Sequence, residues 1–387
     1  MSDSSHAPRR QGIARLIQVV LEQSLLLPIG ALVGLVWANA AHEPYEHFAH
    51  AVHFAVNDIG MVFFFALAAK EVVEATAPGG ALSSTRRAAV PILAAIGGMA
   101  GPAFVYIALV LATGMPELGR GWAIPTATDI AFSYLTAQFV LGARHPAIPF
   151  LLLLAIADDA FGLIILAVFY PSGTLRPGEL AILLGLALGA SYLLRRRQVT
   201  SFWPYLIIGG NLSWLALYRG GLHPALALVP IVPFLPHAAR NPELFAGAPH
   251  GSDTLNEMEH WWKMPVQGIL FGFGLVNAGV PLTSAGVGTW IVIVAILIGK
   301  PLGIGTMTMV SSLIGLRLPQ GLGWREVIVV GLAAAIGFTV ALFFATAAFP
   351  PGPLLDQTKT GALLSVLAAA LAIVAAMVLR VGRFARS

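Results

Sequence analysis

Apolar runs recur along this 387-residue chain, each close to the ~20 residues that carry a helix across a bilayer. Only 10% of the residues are charged and 57% are hydrophobic, against about 25% charged in a water-soluble protein. A chain of that kind cannot cover itself for water, so an all-α polytopic membrane protein is the fold class expected. A membrane β-barrel would alternate polar and apolar residues in segments of about 10, which these continuous runs do not. Cysteine is absent, and with it disulfides and Cys-ligated zinc or iron–sulfur sites.

Hydropathy places about twelve spans, near 24–40, 59–73, 89–112, 121–141, 148–170, 179–194, 202–218, 221–236, 262–282, 289–313, 326–349 and 361–380. An even count puts both termini on one side. With the termini in the cytoplasm, the inner loops and tails hold Arg9, Arg10, Arg15, Arg86, Arg87, Arg144, Arg195, Arg196, Arg197, Arg240, Arg317, Arg325, Arg380, Arg383 and Arg386. Lys263 sits at an inner helix mouth. Only Arg120, Arg176, Arg219 and Lys359 fall outside, which is the bias expected of cytoplasmic loops. The net charge of +4 is therefore read as a topology signal, with no nucleic-acid partner expected. No cleavable signal peptide is expected, because the first apolar run lacks a small-residue cleavage site. Residues 1–387 are read as one integral-membrane transporter domain, with a core bundle around 89–170 and 289–380 and scaffold helices around 24–73 and 179–282. The His-rich stretch 41–58 (His42, His47, His50, His53) is read as a solvated or interfacial loop, since its spacing suits no compact tetrahedral metal site.

Four ionisable residues stand near mid-span: Asp129, Asp158, Asp159 and Lys300. Lys70, Glu71 and Glu74 lie near the inner end of the second span. Charges at that depth are costly and mark ion or proton pathways by default, the alternative being an ion pair that pins helices together. "LLLLAIADDAFGLIILAVFY" (151–170) sets the aspartates side by side. Adjacent helical positions differ by about 100°, so the two cannot face one partner. Carboxylates so close resist ionising together, which spreads their titration. That behaviour suits a site holding protons until a cation displaces them.

Two prolines fall beside these charges. "GWAIPTATDIAF" places Pro125 four residues before Asp129, and "ILIGKPLGI" places Pro301 directly after Lys300. Proline removes a helix hydrogen bond, and at bilayer depth irregular backbone persists only where protein or a water-filled cavity covers it. A break is expected at both places, with Thr126 and Thr128 offering hydroxyls at the first. "AAAIGFTVALFF", with Gly337 and Thr339, is uncharged but interruptible. Paired broken helices in two halves are a sequence pointer to a transporter's midplane site, and spans four and eleven are the candidates here.

The motifs "GWAIPTATDIAFSYL", "LAIADDAFGLIILAVFY", "GFGLVNAGVPL", "LIGKPLGI" and "VGLAAAIGFTVALFFATAAF", with "RRAAVPILAAIGGMAGPA" and "GGLHPALA", resemble the NhaA family of sodium/proton antiporters in order and spacing. The resemblance covers about residues 15–375. It implies a multi-pass antiporter of the cell inner membrane, with twelve helices, inverted repeats, and crossing broken helices four and eleven. The ions implied are Na+ or Li+ and H+, with no cofactor. By the same resemblance Asp159 is the principal cation ligand and proton carrier, Asp158 joins it and pairs with Lys300, and Thr128 is a neutral oxygen ligand. Asp129 and Lys300 offset the partial charges where half-helix ends meet.

The chain departs from the family pattern in three places. "LAAKEVVEA" keeps Lys70, Glu71 and Glu74 but lacks the arginine of the family's acid/base run. A shifted pH response is one expectation, a solvated helix end with Lys70 snorkelling the other. The connection between the first two helices leaves no room for a dimerising β-hairpin, so a homodimer is weakly expected. In "IADDAFG", Phe161 either narrows the cavity or packs against a helix. His223 and His260 are expected to cap or sit at an interface, and Asn277 to hydrogen-bond between helices. An intramembrane aspartyl protease fails on geometry, because its dyad needs carboxylates from different elements about 3 Å apart. A coupled carrier of an organic anion is the remaining alternative, but no span carries a mid-membrane arginine for such a substrate, and no nucleotide-binding Gly-x-x-x-x-Gly-Lys-Ser/Thr run occurs.

Overall fold

The computed structural model describes residues 26–237, 253–316 and 318–385. Arg9, Arg10, Arg15, Arg240, Arg317 and Arg386, used above for topology, lie outside the described residues. Within them every regular element is helical. We number the α-helices α1 (Leu26–Ala40), α2 (His42–Phe54), α3 (Met61–Thr76), α4 (Thr85–Thr113), α5 (Ile130–Leu141), α6 (Ala147–Phe169), α7 (Pro177–Arg196) and α8 (Asn211–Gly220). They continue with α9 (Thr254–Asn277), α10 (Val287–Val294), α11 (Lys300–Leu313), α12 (Trp324–Ala334), α13 (Phe338–Ala348), α14 (Pro353–Leu364) and α15 (Leu367–Leu379). Among the described residues, six helical stretches are long and apolar enough to cross a membrane: His42–Thr76, Ala88–Thr113, Ala147–Phe169, Pro177–Arg196, Val287–Leu313 and Pro353–Phe384. The α12–α13 pair, bent by 50° at its break, makes up to seven.

The structure corrects four readings. Residues 41–58 are not a loop: α2 runs through a π-helical turn, Ala55–Gly60, into α3 as one helix. Glu43 in its first turn suits the positive end of a helix dipole. Residues 221–236 form no α-helix, only short 3-10 turns at Pro224–Leu226 and Val232–Phe234. Pro224, Pro230, Pro233 and Pro236 each remove a backbone donor that an α-helix would need. Pro301 does not break its span either. A π-helical turn, Ala295–Gly299, joins α10 to α11 immediately before Lys300 and leaves the proline in the first turn of α11. Lys359 belongs to no outer loop. It is buried on α14, whose first residue, Pro353, is preset for a helix start.

The deepest packing joins α4 to α11. A Cβ added at Gly303 would stand 1.9 Å from the Gly97 carbonyl oxygen, and one at Gly97 would stand 2.2 Å from that of Gly303. Small residues let membrane helices approach this closely, and the contact holds Lys300 with its Cε 3.8 Å from the Cβ position of Gly98. Both backbones would have to part for a methyl group. Gly303→Ala is expected to destabilise the fold by about 1–3 kcal/mol or more, seen as a lower midpoint of thermal unfolding in detergent; an unchanged midpoint would refute the close contact.

Candidate functional site

The first break lies between a 3-10 helix, Pro116–Thr126, and α5. Pro125 is the penultimate residue of the former and Ala127 is extended. Asp129 then caps α5, its carboxylate accepting from the Phe132 N–H at 3.3 Å. The second break lies between α12 and α13, at Ala335–Gly337. The two breaks touch. The Asp129 N–H donates to the Ile336 carbonyl at 2.7 Å, and the Thr128 hydroxyl donates to that of Ala334 at 3.2 Å. From α13, both the N–H of Thr339 (3.3 Å) and its hydroxyl donate to Asp129 Oδ2. One carboxylate thus faces the positive N-terminal ends of two helices, where negative charge is favoured.

Lys300 answers the opposite ends. Fully buried, its ammonium donates to the Thr126 carbonyl, where the 3-10 helix ends, and to Asp158 Oδ2 at 3.1 Å. Asp158 is 4% exposed, and its Oδ1 has no hydrogen-bond partner among the described residues. Buried polar atoms are nearly always satisfied, so this oxygen, on the wall of a cavity, is an exception. The turn of about 100° between neighbours sends Asp159 elsewhere: among the described residues no hydrogen bond holds it, and it lines two cavities. The smaller, ≈ 20 Å³, also meets Asp158, Thr126, Thr128, Phe343 and Phe344. That is room for about one water-sized particle. The larger, ≈ 220 Å³, also meets Glu71, Thr128, Asp129 and Thr339. Thr128 and Asp159 stand on the wall common to both.

The chain can now be compared with known proteins. A sequence profile of the family described as Na+/H+ antiporter 1 matches residues 15–379. The chain belongs to that family. Among curated members, the Na(+)/H(+) antiporter NhaA of Desulfitobacterium hafniense is 48% identical over 365 residues, covering 92% of this chain and 94% of its own length. That of Geobacter sulfurreducens is 46% identical over 358 residues, covering 90% and 94%. The structure of a sodium proton antiporter from Methanocaldococcus jannaschii at pH 8 superposes with a TM-score of 0.55 at 17% identity, covering 96% of this chain and 99% of that one. The fold is shared at that distance.

Of the residues singled out in the sequence, the structure brings Asp158, Asp159 and Thr128 around the smaller cavity, with Lys300 bonded to Asp158 and Asp129 on the larger cavity. Phe161 lines neither and packs against the apolar cluster around Leu151 and Leu154. Asn277 exchanges amide hydrogen bonds with Asn57 at 2.9 and 3.1 Å, and His223 caps the Ala225 N–H at 3.3 Å. Lys70 does not snorkel. Only 4% exposed, it pairs with Glu74 at 2.8 Å and with Glu259 across to α9. The sequence reading missed Thr339 as the partner of Asp129, the Thr126 carbonyl as the partner of Lys300, and Glu71 as a wall of the larger cavity. Each joins a charge to an uncharged or distant group, and neither kind of pair leaves a periodic signal.

Proposed function

We propose that this protein exchanges Na+ (or Li+) for H+ across the cell inner membrane through a midplane site built on the Asp pair. One observation carries the reading. Asp159 and Thr128 stand between a cavity that fits a bare ion and a larger one reaching Glu71, beside an Asp158 oxygen with no partner. A sodium ion takes Asp159, Asp158 and Thr128 as ligands. When protons occupy the carboxylates the cation has lost its oxygens, so the site carries one cargo or the other and exchange needs no further energy source. Lys300 neutralises Asp158 while the ion is away. Asp129 holds the two breaks together and offsets the positive partial charge of the helix N-termini that meet there.

In this reading the chain crosses the membrane about twelve times with both termini in the cytoplasm, counting each broken pair as one pass and the turn-built stretch 221–236 as another. The helices of 89–170 and 289–380 form the core and those of 24–73 and 179–282 the scaffold. Spans three to five and ten to twelve are inverted repeats whose broken members cross at the site, and access alternates as core moves against scaffold. Two protons per sodium make transport electrogenic, each net charge exchanging about 2.3 kcal/mol with the field per 100 mV.

Reconstituted vesicles holding a pH-sensitive dye test this. Addition of sodium to vesicles acidified inside is expected to collapse the pH gradient, faster when the potential favours net proton movement. A proton flux indifferent to sodium and lithium would end the proposal.

A further inference from the structure

The wall of the smaller cavity includes a glycine, Gly162 of α6. On helical steps of about 100° per residue, Gly162 lies about 40° round the axis from Asp158 and about 60° from Asp159, inside the arc that the two carboxylates span. A Cα–Cβ bond tilts toward the N-terminal end of its helix. A methyl group on Gly162 would therefore lean toward the turn that carries the Asp pair. It would enter open space: apart from its own helix backbone and chain neighbours, no atom among the described residues lies within 4 Å of that Cβ position. The helix leaves out a side chain where the cavity is.

The facing wall is not free to give way. Phe65 and Phe343 meet edge to face with ring centroids 4.9 Å apart, and Phe344 rests on Tyr170 at 5.5 Å. All four rings are buried, and a packed interior leaves such rings little slack. Phe65, Phe343 and Phe344 line the same cavity as Gly162. The room beside the Asp pair, ≈ 20 Å³, is thus bounded by fixed rings on one side and by a missing methyl group on the other.

We propose that Gly162 sets the size of cation the site accepts. Sodium fits because this position has no side chain, and a methyl group there leaves room for the smaller lithium ion alone. The inference rests on the exchange function proposed above. It goes further by assigning the choice between alkali cations to a residue that brings no side-chain ligand.

Reconstituted vesicles with a pH-sensitive dye report apparent KM values for sodium and for lithium. One methylene more or less in a close-fitting pocket changes discrimination by roughly tenfold or more. Gly162→Ala is therefore expected to raise the sodium KM by about tenfold and the lithium KM by less than about threefold. Folding should not suffer, because alanine is the better helix former and the methyl group meets no neighbour. The midpoint of thermal unfolding is expected to hold or rise. On α7, Gly185 also has nothing near its Cβ position and lines neither cavity, so Gly185→Ala is expected to leave both KM values as they are. Four results would overturn the size filter: unchanged KM values in Gly162→Ala, equal shifts for the two ions, a lowered unfolding midpoint, or the same change of preference in Gly185→Ala. Should the wild-type chain exchange neither ion, the proposed function falls and this inference with it, which the same vesicles report before any variant is made.

Discussion

Asp159→Asn is expected to abolish sodium-driven collapse of a pH gradient at every pH, while the protein still folds. An amide is nearly the size of a carboxylate, and no hydrogen bond in the structure depends on the ionised form of Asp159, so thermal stability should stay close to wild type. Transport has no such reserve. The amide carries no proton to exchange and no charge to hold a sodium ion, and among the described residues no other carboxylate lines both cavities. Loss of one buried charge-assisted ligand costs several kcal/mol, a change of at least about a hundredfold in affinity. Exchange persisting above about a tenth of the wild-type rate would remove Asp159 from the site.

Lys300→Ala is expected to act on stability as well as transport. The ammonium is fully buried, and it serves both Asp158 and the Thr126 carbonyl. Removing one member of a buried ion pair typically costs about 3–5 kcal/mol, because the other charge is left unpaired. The structure offers Asp158 an escape: it can take up a proton and become neutral. Two results then follow. Purified Lys300→Ala should melt well below wild type, and the loss should shrink as pH falls and Asp158 protonates. Asp158→Asn combined with Lys300→Ala should recover much of the stability, since neither charge is then stranded. If the double variant is as unstable as the single one, the ion pair is not what Lys300 contributes.

Much of the site could be read before the fold was known, for a physical reason: a charge in an apolar span is conspicuous. Asp129, Asp158, Asp159 and Lys300 stood out by depth alone, and a proline beside Asp129 marked the first break. The resemblance supplied the pairing of Asp158 with Lys300, which no spacing could have. Uncharged partners stayed hidden. Thr339 looks like any threonine in an apolar helix until the chain brings it to Asp129, 210 positions away. Hydropathy misjudged 221–236 because it weighs side chains and ignores the backbone donors that prolines delete. It misjudged 41–58 for the opposite reason, since His and Glu lower the score of a stretch whose backbone is fully helical. Lys359 suffered from its neighbours: "FPPGPLLDQTKTG" reads as a polar connection until Pro353 is recognised as a helix start.

The hydrogen bonds between the two breaks have a bearing on how the chain can vary. Thr128, Asp129 and Thr339 fasten segments that lie more than two hundred residues apart into a single joint, so displacement of either segment drags Thr128, on the wall of both cavities, with it. A substitution at one of the three is thus felt by all, and tolerated changes should arise in matched sets across the two halves. The nearby Asp159, held by no such fastening, is free to be tuned alone.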